Sequence, residues 1–83
     1  MKLGELIMKL MNKLYEPLAT VEAKFQRYDL LSKTDEAGRP ILLFMGKKDP
    51  SGSIKGERFA RRLKEDAEGK MIKDHWEHKG KAT

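Results

Sequence analysis

Glu65-Asp66-Ala67-Glu68-Gly69-Lys70-Met71-Ile72 repeats the order of Thr34-Asp35-Glu36-Ala37-Gly38-Arg39-Pro40-Ile41: an aspartate, two residues, a glycine, a basic residue, and an isoleucine two further on. Asp-x-x-Gly between apolar stretches is turn chemistry. The carboxylate hydrogen-bonds the backbone ahead of it, and the glycine takes the positive φ that closes a four-residue loop. The echo predicts two β-hairpins in one small domain.

Pairing the second hairpin with Glu65 opposite Lys70 sets Leu63 against Ile72, Arg61 against Asp74, Phe59 against Trp76 and Glu57 against His78. These share one face, because strand side chains alternate. The other face carries Arg62 against Lys73, Ala60 against His75 and Arg58 against Glu77. One register thus sorts apolar from basic residues and matches Arg61 to Asp74. Cross-strand pairs of this kind contribute ~0.2–1 kcal/mol each. A helix over Glu57–Glu68 competes, with Phe59, Ala60, Leu63 and Ala67 on one face and Gly69 placed to end it. The echo and the charge match favour the hairpin. The same register in the first hairpin pairs Leu30 with Leu43, Tyr28 with Met45 and Leu31 with Leu42.

Upstream, Thr20 to Lys33 begins with strict alternation of Val21, Ala23 and Phe25 with Glu22, Lys24 and Gln26. The apolar phase then slips to Tyr28 and Leu30, which reads as a bulge within one strand. Ile41–Met45 is an uninterrupted apolar run, the pattern of a central strand covered on both faces. Pro40 stands at its first position, where a missing N–H is tolerated. Met1–Glu16 reads as a helix, with Leu3, Leu6, Ile7, Leu10, Met11, Leu14 and Leu18 on one side, and Pro17 ends it. Met8 and Tyr15 widen the apolar arc to roughly 200°, beyond the ~100° stripe that suffices against one sheet.

The expected fold is a single α+β domain over 1–83. An N-terminal amphipathic helix (about 1–16) packs on a four-stranded antiparallel β-meander. Its parts are a hairpin at about 20–46, a basic Gly/Pro/Ser loop at 46–56, a hairpin at about 57–79 and a frayed tail at 80–83.

The 83 residues fit one domain, and the absence of cysteine excludes disulfides, thiolate metal sites and a thiol nucleophile. A cytoplasmic setting is the expectation from that absence. No run approaches the ~20 apolar residues of a membrane span, and the N-terminal apolar residues are broken by Glu5, Lys9 and Lys13. The formal net charge is +5, and it is uneven: residues 1–45 carry seven Lys/Arg against six Asp/Glu, residues 46–83 eleven against seven. The second half is the candidate anion-facing half.

Catalytic chemistry finds no foothold. Ser32, Ser51 and Ser53 lie in no nucleophile-elbow motif, and Asp35-Glu36 and Glu65-Asp66 are turn carboxylates. Gly46–Gly56 lacks the Gly-Lys-Ser/Thr of a phosphate-binding loop. His75 and His78 point to opposite faces of a strand, so they form no metal pair. No enzyme, metal or cofactor is expected.

Two binding readings remain. One is a protein-interaction module that forms a homodimer or docks a partner through the helix face of Leu3, Leu6, Ile7, Leu10, Met11 and Leu14, its motive being the excess apolar arc. The alternative is a small nucleic-acid-binding protein. It would contact phosphates through Arg58, Arg62, Lys64 and Lys73 on a basic sheet face, with Lys47, Lys48 and Lys55 on the adjoining loop. Phe59 and Trp76 point away from that face, so the expected contact is electrostatic and sequence-tolerant.

Overall fold

The computed structural model describes residues 4–82. A short helix, α1 (Glu5–Met11), precedes five strands: β1 (Thr20–Phe25), β2 (Tyr28–Thr34), β3 (Pro40–Lys48), β4 (Ile54–Glu65) and β5 (Met71–Ala82). They form one antiparallel sheet in sequence order. The expected α+β arrangement of a long amphipathic helix on four strands is therefore corrected to a mainly β domain with five strands and a seven-residue helix. Residues 57–68 are not helical, since β4 runs through Glu65. β5 continues through most of what reads as a frayed tail.

The fifth strand comes from the segment read as one bulged strand. Phe25 stands opposite Tyr28, and between them Gln26 takes a positive φ of 53°. The slip in apolar phase is a tight turn, not a bulge. Gln26 and Arg27 are not among the residues that favour turns, so composition does not reveal it.

The three remaining hairpins share one turn. Asp35, Asp49 and Asp66 each donate a backbone N–H across the loop, to the carbonyls of Arg39, Ser53 and Lys70. Each also accepts from the glycine three residues on, Gly38, Gly52 or Gly69. The carboxylate Oδ1 of each accepts two further backbone N–H bonds ahead of it. This is a type I turn closed by a glycine in the left-handed region. Residues 46–56 are thus not a long loop: Gly46 pairs with Gly56 and Lys47 with Lys55. The two glycines there serve a close strand approach, since a Cβ on Gly46 would lie 2.0 Å from the Lys55 carbonyl oxygen.

The isoleucine of the echo has a structural meaning. Pairing shifts between Lys33 and Thr34 opposite β3, and between Lys64 and Glu65 opposite β5, leaving Ile41 and Ile72 as the extra residues of two bulges. Thr34 pairs with Pro40 and Glu65 with Met71, one residue past the expected partners, and each bulge adds one more. Leu30–Lys33 and Phe59–Lys64 are therefore displaced by two residues from the expected register, and a further shift between Glu57 and Phe59 sets Glu57 against Lys81. Leu30 faces Met45, Leu31 faces Phe44, Phe59 faces His78 and Arg61 faces Trp76. A two-residue shift keeps every side chain beyond the bulge on its face. Ile72 itself, expected against Leu63, is exposed.

Ile7 and Met11 of α1 are buried with Leu30, Leu43, Met45 and Phe59, so the helix lies on one face of the sheet, called here the inner face. Its C-terminus is held by Arg61, whose Nη1 donates to the carbonyl oxygens of Met11 (3.0 Å) and Pro40 (3.2 Å), and whose Nη2 donates to Asn12 Oδ1 (3.1 Å). A cation suits the carbonyl end of a helix. The chain then leaves the helical path because its amides find other partners: Tyr15 N–H bonds the Gly38 carbonyl and Leu18 N–H the Asp35 carbonyl. That is why the helix ends well short of Glu16.

Candidate functional site

The outer face of the sheet is set by alternation. Leu30, Ser32, Leu43, Met45 and Phe59 are buried beneath the helix side, so Leu31, Leu42, Phe44 and Ala60 project the other way. The pairings place them together. Leu31 faces Phe44, which faces Arg58; Lys33 faces Leu42, which faces Ala60, which faces Glu77. The result is a half-buried apolar strip across β2, β3 and β4, bordered by Lys33, Arg58 and Arg62. Among the described residues, the helix packs on the opposite face. The expectation of a central strand covered on both sides is met on the inner side of β3 only.

The sequence-derived basic set divides between the faces. Arg58, Arg62, Lys64 and Lys73 lie on the outer face, with Lys64 and Lys73 directly paired. Lys47 and Lys55 pair with each other and line a cleft with Arg27, Tyr28 and Met45, away from the outer strip. Lys48 is engaged: its Nζ lies 2.6 Å from Glu22 Oε1 and its backbone N–H bonds Asp29 Oδ2. The ion pair raises its pKa.

Glu77 is the main counter-charge on this face. Lys79 Nζ (2.8 Å), His75 Nε2 (3.1 Å) and Arg62 Nε (3.3 Å) converge on its carboxylate. These contacts, Lys79 first, draw its pKa down to about 2. It is ionised at neutral pH and partly offsets Arg62.

Pairing alone misses Phe44. The expected register turned both aromatics of the second hairpin inward and left the basic face without a ring. Phe44 comes from the first hairpin, in the neighbouring strand, and only the β3–β4 pairing brings it opposite Arg58. Its signal is the alternation within Ile41–Met45, which puts Leu42 and Phe44 on one face and Leu43 and Met45 on the other.

The helix set is likewise divided. Leu3 lies outside the described residues. Ile7 and Met11 are core, and Leu10 packs against that core. Leu6 and Leu14 remain exposed, at 57% and 71%, together with Leu18 at 75%. Trp76 packs against the core beside Arg61, whose guanidinium carbon lies 5.6 Å from its ring centroid, and the indole Nε1 is buried with no hydrogen-bond partner. His75 and His78 bond Glu77 and Glu57, and among the described residues no group of three or more acidic or histidine side chains is placed to hold a metal ion. No described helix is long and apolar enough to cross a membrane. Comparison of the chain with protein-family models, with curated proteins and with solved structures gives no match.

Proposed function

We propose that this protein is a non-catalytic nucleic-acid-binding module that uses the outer face of its sheet. The observation that carries the reading is the placement of Phe44 opposite Arg58, within an apolar strip bordered by Lys33 and Arg62. Basic side chains on a sheet face follow a phosphate backbone, and an aromatic ring among them offers a surface for a base. The helix-face reading loses part of its motive, because Ile7 and Met11 are used in the core. Binding to mixed-sequence DNA and RNA should be measurable at low salt. The logarithm of affinity should fall linearly with that of salt, with a slope of roughly −0.7 to −0.9 per phosphate contact. An Arg58→Glu/Arg62→Glu double variant that binds as the wild type does contradicts the proposal.

A second reading, self-association, is favoured by the exposure of Leu6, Leu14 and Leu18. Sedimentation at micromolar concentration tests it. A dimer that a Leu14→Ser/Leu18→Ser variant abolishes supports it, and a monomer of 9.6 kDa removes it.

A further inference from the structure

We infer that the outer face takes single strands in preference to duplex, with Phe44 as the platform on which a base stacks. This rests on the nucleic-acid reading and names its substrate class. A duplex buries the faces of its bases and offers a sheet mainly phosphates and groove edges, for which an apolar strip has no use. A single strand presents base faces and phosphates together. The outer face has a partner for each: Leu31, Leu42, Phe44 and Ala60 form one contiguous apolar patch, and Lys33, Arg58 and Arg62 border it.

The arrangement within the patch sharpens the point. Phe44 lies between Leu31 and Arg58 in one row across the sheet, so the ring has an apolar neighbour on one side and a guanidinium on the other. A base on the ring would have its phosphate within the field of Arg58. Ala60, next to Arg58 on β4, is small and leaves the strip low there. Stacking of this kind is tolerant of base identity, because every base has a π-face. The charge sign selects an anionic partner: Lys24, Lys33, Arg58, Arg62, Lys64 and Lys73 lie on this face against Glu22, Asp29 and Glu77.

The test compares a fluorescein-labelled oligothymidine of about 15 nucleotides with a hairpin duplex of similar charge, by anisotropy at low salt. The wild-type chain, Phe44→Leu, Phe44→Tyr and Arg58→Gln are titrated, and circular dichroism melting establishes that each is folded. The expected result is tighter binding of oligothymidine than of duplex. Phe44→Leu should lower oligothymidine affinity by roughly 5- to 100-fold and duplex affinity by a clearly smaller factor. Phe44→Tyr keeps the ring and should restore binding. Arg58→Gln should weaken both ligands. Equal affinity for the two ligands, or oligothymidine binding by Phe44→Leu equal to wild type, overturns this inference and leaves the nucleic-acid reading standing. Absence of binding to either ligand at low salt overturns both.

Discussion

Arg61 and Asp74 form a bidentate ion pair, Nε to Oδ1 at 2.6 Å and Nη2 to Oδ2 at 2.7 Å, although they are not opposite each other in the sheet. Arg61 faces Trp76, and Asp74 faces Leu63. The pair reaches across the diagonal, a span open to a long side chain. The Arg61 side chain is 6% exposed, and its remaining donors hold the end of α1 and the start of β3. This one residue joins the helix to three strands.

Removing the two partners should therefore have unequal effects. Asp74→Ala leaves Arg61 its carbonyl acceptors and should cost about 1–3 kcal/mol. Arg61→Leu strips the Met11 and Pro40 carbonyls as well and should cost more, about 3–5 kcal/mol. The double variant Arg61→Leu/Asp74→Leu should not recover the loss of Arg61→Leu, because the carbonyls remain without their donor. Urea denaturation of the four proteins measures this, and full recovery in the double variant would show that the helix clamp contributes little.

The same pair predicts acid sensitivity. The Arg61 guanidinium holds the Asp74 pKa below its ordinary value, and burial opposes this only in part. A depressed folded-state pKa stabilises above the unfolded-state value, and that contribution is lost as pH falls through the folded one. The stability gap between wild type and Asp74→Asn should be full at neutral pH and shrink in acid, below the ordinary aspartate pKa. A gap that stays constant down to strongly acid pH speaks against it.

Two equivalent turn glycines should respond differently to alanine. Gly38 and Gly69 both have φ of 83°, but a Cβ on Gly38 would lie 2.1 Å from the Tyr15 carbonyl oxygen, and one on Gly69 meets nothing within 4 Å. Gly69→Ala should cost only the left-handed conformation, about 1–2 kcal/mol. Gly38→Ala should cost ~1–3 kcal/mol more, because the segment after α1 must move off the turn. Equal melting temperatures for the two variants would contradict the docking of Tyr15 on that turn.

Much of this was legible in the sequence, and the gaps have definite causes. The Asp-x-x-Gly echo locates two hairpins because that turn needs a carboxylate at its start and a positive φ at its end. The third copy, Asp49-Pro50-Ser51-Gly52, was hidden by Gly46 and Gly56, which read as loop but belong to strands. The turn at Gln26-Arg27 carries no turn residue at all. Register failed by two residues in both hairpins because the turn pairs Thr34 with Pro40 and Glu65 with Met71, one residue past the expected partners, and a bulge at Ile41 or Ile72 adds another. Arg61–Asp74 and Glu57–His78 nevertheless meet, since the displacement preserves faces and both pairs reach diagonally. Of the site, the basic residues of β4 and β5 were readable from one hairpin alone. Phe44 was not, because its place opposite Arg58 depends on a pairing between the two echoed hairpins.

Glu77 should act as a brake on binding. Its carboxylate engages Arg62, His75 and Lys79 on or beside the outer face. Glu77→Gln frees these groups and should tighten low-salt oligonucleotide binding by about 2- to 5-fold, with the gain fading as salt rises. Weaker binding by the variant would place the ligand elsewhere.

The outer-face claim is tested most directly by nuclear magnetic resonance of the isotopically labelled chain titrated with oligothymidine at low salt. Perturbations should cluster at Leu31, Lys33, Leu42, Phe44, Arg58, Ala60 and Arg62, with the Phe44 ring protons shifted by a stacked base. Ile7, Met11 and the Lys47–Lys55 pair on the other side should stay in place. Perturbations concentrated at Lys47 and Lys55, or none at all, would contradict the account.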